Sequence, residues 1–210
     1  VYPPPQTNKK MSSSAPAFGV SSDILAFWFA KTPDMDKWFI ASSGYDEEIR
    51  TKFASTLRSA ECGDCIHWLM SANSYVAHTV LLDQFSRQIY RGTRQAFQND
   101  LSALTFAKMG MHSYYPTLNK YEKMFVLMPF MHAENLQAQE ECVAHVKEAE
   151  ATARVDDNPD PFWTNVLRHA EGHREVVRRF GRFPKRNVVL GRTSTEEELA
   201  YIQETPNIPY

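Results

Sequence analysis

The sequence predicts an all-α protein. Apolar residues recur at helical spacing over several long segments, and no segment alternates apolar and polar residues as a half-buried strand does. No hairpin dipeptide such as Asn-Gly separates two apolar runs. Because the helical segments follow one another through short connections, we expect antiparallel neighbours packed as helical hairpins.

The length of 210 residues suits one domain with a substantial core. We expect a single helical domain over residues 21–204. The sequence begins without a methionine, and residues 11–22 are rich in Ser and Ala without the apolar run of a secretory signal. We therefore predict an extended N-terminal arm over residues 1–20 and a C-terminal tail over residues 205–210.

Charge and cysteine content exclude several classes of function. A formal net charge of -2 argues against a general nucleic-acid binder, and no run approaches the ~18 apolar residues of a membrane span. Three cysteines cannot all pair within one chain, which favours a reducing compartment: the cytoplasm, or alternatively an organelle such as the mitochondrion. Cys62 and Cys65 have redox or zinc spacing, but no second pair accompanies them, so we interpret them as incidental thiols.

The first helices can be placed from their caps and apolar stripes. Residues 21–23 are capping types ahead of an apolar run that Pro33 ends, and Trp38 and Phe39 form an aromatic pair in the loop that follows. Residues 45–60 read as an amphipathic surface helix. A longer helix over residues 72–90 is predicted to end at Gly92.

Five further helical segments complete the prediction. A helix over residues 94–109 is expected to bury Phe97, Leu101, Leu104 and Met109. Residues 119–150 hold two helical patterns, divided or kinked at Pro129. The last long helix spans residues 162–180, and a capping box that begins at Thr195 opens a short helix over residues 196–204.

An arginine-rich block follows the last long helix. Gly181 suits a left-handed helix end and Pro184 prevents the helix from continuing, which brings several cations into one short region: Arg182, Lys185, Arg186 and Arg192. Arginines on a rigid turn are suited to bind carboxylate or phosphate groups. The alternative is structural, with the arginines tying helix ends and loop carbonyls together.

A second polar group lies on the helix that ends before Gly92. Asp83, Arg87, Tyr90 and Arg91 fall at i, i+4, i+7 and i+8, so a regular helix would place them on one face. The alternative is a solvated face on which Asp83 and Arg87 form an ion pair worth ~0.3 kcal/mol.

Histidines supply a third group. His169 and His173 have metal-ligand spacing, but no third ligand can be identified and His173 lies within an apolar stripe, so we interpret it as a core histidine. No metal and no cofactor are predicted. A regular helix would place His132, Asn135 and Gln139 on one face, whereas Glu134, two residues after His132, would point to another side.

These segments resemble the largely bacterial domain-of-unknown-function family 924, whose members are TPR-like helical proteins. The resemblance spans about residues 22–203 and is most specific at residues 179–187, Arg-Phe-Gly-Arg-Phe-Pro-Lys-Arg-Asn. It implies a right-handed TPR-like array and strengthens the location of the polar site, but it brings no agreed activity. This chain has Ser86, Ala133, Asn135 and Lys185 where relatives commonly have Pro, Ser, Asp and His.

Three hypotheses for function follow. The first is a TPR-like binding protein whose Arg-rich polar site takes an anionic small molecule or an acidic peptide. The second is an enzyme that uses His132, His173 or Asp83 as acid–base groups beside the arginines. The third is an accessory subunit that contacts a protein partner through residues 1–20 and the C-terminal tail. The candidate ligand-binding residues are Asp83, Arg87, Tyr90, Arg91, His132, Glu134, His173, Arg182, Arg186, Asn187 and Arg192.

Overall fold

The computed structural model describes residues 21–30, 35–40, 42–154 and 158–206 and confirms the all-α class over those ranges. The predicted arm at residues 1–20, Pro33 and the last four residues lie outside them. The α-helices are α1 (Ser21–Trp28), α2 (Met35–Phe39), α3 (Ser43–Glu61), α4 (Ala72–Val80), α5 (Ser86–Ile89), α6 (Asp100–Gly110), α7 (Lys120–His132), α8 (Leu136–Thr152), α9 (Pro161–Phe180), α10 (Asn187–Leu190) and α11 (Glu196–Glu204).

Short 3₁₀ turns join several of these helices, at Ile66–Met70, Arg94–Phe97, Tyr115–Thr117 and Pro184–Arg186. Helix α6 packs against α7, α7 against α8 and α8 against α9, as helical hairpins require. Helix α1 packs across α4, which is distant in sequence. The right-handed TPR-like order of these hairpins stays a prediction.

Aromatic side chains form the part of the core where α1, α2 and α7 meet. Trp28 of α1 meets the rings of Phe85 and Phe125 edge-on, with centroids 5.4 and 5.3 Å away. The aromatic pair predicted for a loop lies instead in the short helix α2. Trp38 is buried and donates from Nε1 to the carbonyl oxygen of Trp28 at 2.9 Å, while Phe39 is half exposed. Burial of such rings dominates core energetics, so this cluster fixes α1 and α2 against α7.

Between α4 and α5 the chain makes one π-helical turn, Leu81–Phe85. A π turn holds more residues than an α turn and is frequent at functional sites. The side chains of the next turn stabilise the backbone here, because Ser86 donates to the carbonyl oxygen of Leu82 and Arg87 Nη1 donates to that of Asp83. The predicted helix over residues 72–90 is therefore continuous but irregular, and its irregular turn contains Asp83.

The predicted buried face of α6 and a division of the chain at Pro129 are wrong, whereas a kink at Pro129 stays a prediction. Leu101 and Met109 are exposed, since the 3₁₀ turn at Arg94–Phe97 separates Phe97 from α6 and α6 turns Ala103, Leu104 and Ala107 to the core instead. Helix α7 also runs through Pro129, which is buried, and ends at His132. Packing on α6, α8 and α9 thus outweighs the hydrogen bond that the proline lacks.

The C-terminal predictions are confirmed. Gly181 ends α9 with a left-handed φ of 70°, and Thr195 and Glu198 form the capping box of α11. Cys62, Cys65 and Cys142 are free thiols. Over the described ranges, none of the helices is long and apolar enough to cross a membrane.

Candidate functional site

Asp83 of the π turn and His132 at the end of α7 are in direct contact. The π turn directs Asp83 inward, where it is fully buried, and the end of α7 places His132 Nδ1 2.8 Å from Asp83 Oδ1 and 3.0 Å from Oδ2. Gln84 Nε2 donates to Asp83 Oδ2 at 2.5 Å. The structure thus brings together the carboxylate and the imidazole that the enzyme hypothesis requires in one site.

Two arginines neutralise the acidic groups around this pair. Arg87 Nη1 lies 3.2 Å from Asp83 Oδ1, and Arg87 Nη2 lies 2.9 Å from Asp100 Oδ1. Arg186 Nη1 donates to Asp100 Oδ2 at 3.1 Å, so Asp100 is shared by both guanidinium groups. We call Asp83, Arg87, Asp100, His132 and Arg186 the cleft cluster; Asp83 and Arg87 are not the solvated pair that spacing alone allowed.

Burial and the neighbouring charges determine the protonation states of Asp83 and His132. Burial by itself would raise the pKa of Asp83, but the charge of Arg87 and the hydrogen bonds from His132 and Gln84 outweigh burial and hold that pKa well below its usual range. Burial, followed by the charge of Arg87, lowers the pKa of His132 despite the attraction of Asp83. Since an ionised carboxylate only accepts hydrogen bonds, the neutral His132 ring carries its proton on Nδ1.

The guanidinium of Arg186 contacts two aromatic rings. Its guanidinium carbon lies 4.7 Å from the ring centroid of Phe97 and 4.3 Å from that of Phe183. Burial and the charge of Arg87 lower the pKa of Arg186 to about 10, which leaves it charged at neutral pH. Among the described residues Asp100 is the one hydrogen-bond acceptor for this guanidinium, so Nε and Nη2 keep unused donors.

A cleft of about 540 Å³ opens beside the cleft cluster. One part of its wall is apolar, with Trp38, Phe39, Met124, Met128, Met131 and Phe162. The other part is polar, with Gln84, Arg87, His132, His169, His173, Lys185 and Arg186. Because Asp83 holds Nδ1 of His132 and does not line the cleft, the opposite ring edge, which carries Nε2, is the edge that faces the open space.

A second cleft of about 620 Å³ lies behind the same wall. Phe97 and Arg186 line both clefts and so separate them. The second cleft is bordered by polar side chains of the turn before α6 and of the segment after α7, including Arg94, Gln98, Glu134 and Asn135.

Most of the other predicted residues belong to a second network, which we call the C-terminal cluster: Glu134, Arg182, Asn187, Arg192 and Glu198. Arg192 donates to both carboxylate oxygens of Glu134 at 2.6 and 2.9 Å, and also to Asn187 Oδ1 at 2.9 Å. Arg182 pairs with both oxygens of Glu198 at 2.7 and 2.9 Å, and this hydrogen bonding lowers the pKa of Glu198 to about 2.

The backbone completes the C-terminal cluster. Glu134 accepts from the amide of Phe183 at 2.7 Å, and Arg192 donates to the carbonyl oxygen of Phe183 at 3.1 Å. Asn187 is fully buried and donates to Ser194 and Glu198. Arg182 and Arg192 thus connect helix ends and loop carbonyls, which was the structural alternative for the arginine-rich block.

Two candidates from the α5 end lie apart from Asp83. Arg91 pairs with both oxygens of Asp46 on α3, at 2.5 and 2.8 Å, although it also borders the first cleft. Tyr90 packs against the main core and is outside the cleft lining. The common face predicted for a regular helix is wrong, because the π turn changes the angular relation between Asp83 and the residues that follow it.

The face predicted for His132, Asn135 and Gln139 is also wrong, since α7 ends before Asn135. Asn135 caps α8 by accepting from the amide of Ala138 at 2.9 Å. Gln139 is buried and donates to the carbonyl oxygens of Met131 and Ala133, at 2.7 and 2.8 Å, which closes the end of α7. Gln139 thereby fixes the backbone carbonyl groups on either side of His132.

His173 is buried, as its apolar stripe predicted, and its Nδ1 donates to the carbonyl oxygen of His169 at 2.8 Å. Burial lowers its pKa well below the usual value, and its ring centroid lies 6.1 Å from that of His132. Within residues 21–30, 35–40, 42–154 and 158–206, no group of three His, Cys, Asp or Glu side chains is arranged to hold a metal ion.

Sequence reasoning missed the partners of the arginines. Asp100 was assigned to the middle of a helix, whereas it begins α6 and pairs with Arg87 and Arg186. Phe97, which separates the two clefts, was predicted as core. One available signal was charge balance, because buried arginines require carboxylates nearby in space.

Comparisons with known proteins agree with this architecture. The family described as "Bacterial protein of unknown function (DUF924)" matches residues 24–206. A solved structure of a protein of unknown function from Agrobacterium tumefaciens is 32% identical, with a TM-score of 0.77 over 88% of this chain and 97% of that one. A comparison with curated proteins gave no match. The chain therefore belongs to the DUF924 family.

Proposed function

We propose that the first cleft binds a small organic anion whose acidic group contacts Arg186 and whose apolar body lies on the methionine and aromatic wall. The observation that supports this most directly is the state of Arg186: it is charged, held by two rings and left with donors that no described residue uses. Charge-assisted hydrogen bonds from a guanidinium are among the strongest polar contacts with a carboxylate or phosphate.

The size and lining of the cleft favour a small molecule over an acidic peptide. A volume of about 540 Å³ lies in the range of ordinary ligand pockets, which are mostly apolar with a few convergent polar groups. The other predicted arginines contribute less, because Arg182 and Arg192 are satisfied within the C-terminal cluster and Arg91 is held by Asp46. The proposed anion site therefore contains fewer arginines than the arginine-rich block suggested.

The test is a thermal-shift and calorimetric screen with monocarboxylates, dicarboxylates and phosphomonoesters that carry apolar bodies of graded size. We expect at least one class to stabilise the protein, by ~2.7 kcal/mol at 100 times its dissociation constant. Arg186→Met should weaken that binding by about 10-fold to 100-fold, the loss of one charge-assisted contact.

Arg178→Met is the matched control, because it removes the same charge from an exposed arginine of α9 that pairs with Glu175 away from the cleft. Its dissociation constant should equal that of the wild type. A screen without any stabilising anion, or equal binding by Arg186→Met and wild type, would refute the anion site and favour a structural role for the cleft cluster.

The remaining predictions stay predictions: the domain limits 21–204, a protein partner for the chain ends, an acidic peptide as ligand, and the cytoplasmic location.

A further inference from the structure

We infer that His132 is a general base that removes a proton from a carbon next to a carbonyl group in the anion held at Arg186. The inference rests on the proposed anion site and gives its ligand a chemical class, namely a 2-oxo acid or a related carbonyl-containing acid. It follows from three features of the cleft: the orientation of His132, the side chains available in the lining, and the place of Arg186.

The orientation of the His132 ring is fixed by Asp83, on the side away from the cleft. Asp83 accepts a hydrogen bond from Nδ1–H of His132, and Asp83 itself is held by Gln84, by Arg87 and by the π turn. Nε2 has no hydrogen-bond partner among the described residues, so its lone pair is directed to the cleft. A neutral imidazole in this tautomer is a base, and Asp83 stabilises the imidazolium that forms when the ring accepts a proton.

The side chains that line the cleft limit the reactions in which His132 could act as the base. Among the described residues that line it there is no Ser, Thr, Cys, Tyr, Asp or Glu side chain. A hydroxyl or thiol nucleophile activated by His132, as in acyl transfer, is therefore absent from that lining. Proton transfer to and from the ligand itself requires none of these side chains and uses only groups that line the cleft.

Arg186 supplies the complementary charge. It lines the same cleft, and its positive charge is near enough to contribute to the lowered pKa of His132. In the proposed step the ligand C–H bond breaks, its proton forms a bond with Nε2, and the electron pair moves onto the carbonyl oxygen as an enolate. The enolate and the acid group face the Arg186 donors, and return of a proton from the imidazolium restores the ligand.

His132 is thus the proposed catalytic residue, and Asp83 is a positioning residue. The protonation state can be measured without any ligand, from ¹⁵N chemical shifts of labelled histidines at pH 7.5. We expect a protonated Nδ1 and an unprotonated Nε2 for His132, and a change of tautomer in Asp83→Asn. A proton on Nε2 in the wild type, or an imidazolium at that pH, would overturn the assignment.

The reaction is tested by deuterium exchange into 2-oxobutyrate, 2-oxoglutarate and acetoacetate in D₂O, followed by proton NMR. We expect the wild-type protein to catalyse exchange at the carbon beside the carbonyl in an acid that binds. His132→Gln should lower that rate roughly 10²-fold to 10⁴-fold while the dissociation constant stays within a few-fold. His145→Gln, which changes a partly exposed histidine of α8 away from the cleft, should exchange at the wild-type rate.

The outcomes separate the two proposals. Binding without exchange, or exchange that His132→Gln does not slow, refutes the general base and leaves the anion site intact. Absence of binding by every anion in the screen refutes both. A shift of the histidine tautomer in Asp83→Asn together with loss of exchange distinguishes positioning by Asp83 from a purely structural contribution.

Discussion

The cleft cluster and the C-terminal cluster use the same residue types to different ends. In the C-terminal cluster Arg192 uses Nε, Nη1 and Nη2, and its acceptors are side chains and backbone of the same chain. In the cleft cluster Arg186 and His132 each keep a polar edge without a partner among the described residues, and both line an open space. Unused hydrogen-bonding capacity beside a cavity, more than the number of arginines, separates a candidate site from a structural tie.

The largest expected effect comes from removing the central acid. Asp83→Ala should lower the free energy of unfolding by about 3–5 kcal/mol, because it leaves Arg87 with one buried counter-ion fewer and removes the partner of His132. Urea denaturation measures the change. Asp64→Ala, which changes an exposed residue in the turn after α3, is the control, and its free energy of unfolding should be within about 0.5 kcal/mol of the wild-type value. A loss of similar size for Asp83→Ala would mean that the cleft cluster contributes little to stability.

A paired comparison of arginines should give the next largest effect. Arg192→Met should cost about 2–3 kcal/mol, since Glu134, Asn187 Oδ1 and a backbone carbonyl lose a donor together. Arg186→Met should lower the free energy of unfolding by about 1 kcal/mol or less. Asp100 still has its ion pair with Arg87, and a methionine can still pack on Phe97 and Phe183. The reverse order, measured by denaturant unfolding, would show that Arg186 is the structural tie.

The smallest expected effect is a pH dependence of stability that comes from His132 and the neighbouring His173. The pKa values of His132 and His173 are lowered in the folded protein, so below about pH 6.5 the unfolded chain binds protons that the folded chain does not. Stability should therefore fall as pH decreases through this range. Besides burial, the charges of Arg87 and Arg186 lower the pKa of His132, and Asp83 opposes them. At His173 the neighbouring His132, Arg186 and His169 lower the pKa, and the hydrogen bond to the His169 backbone opposes them.

This dependence is measured from thermal unfolding between pH 7.5 and 5. His78, whose pKa burial lowers to about 4, contributes in both proteins, so the informative quantity is the difference between wild type and His132→Gln. The variant should have the shallower slope. Glu198, with a pKa of about 2, keeps its charge over the whole range, and the C-terminal cluster should not respond. Equal slopes would show that His132 is not buried in its neutral form.

Local signals predicted the regular parts of the fold. Helices α3, α9 and α11 were predicted within two residues of each boundary, because their caps and apolar periods lie in adjacent residues. The buried face of α6 was wrong, because a 3₁₀ turn interrupts the period before it. Ion-pair partners such as Asp46 with Arg91, or Asp100 with Arg186, are far apart in sequence, and spacing along one helix carries no information about them.

The π turn makes the site depend on the number of residues in a helix as well as on their identity. Asp83 and Gln84 both lie inside Leu81–Phe85. Deletion of one residue from this turn would rotate everything after it by about 100°, the angle of one helical residue, and would carry Arg87 away from Asp100. Substitutions can therefore change the chemistry of this site, but an insertion or deletion is what could create or dismantle its geometry in a single event.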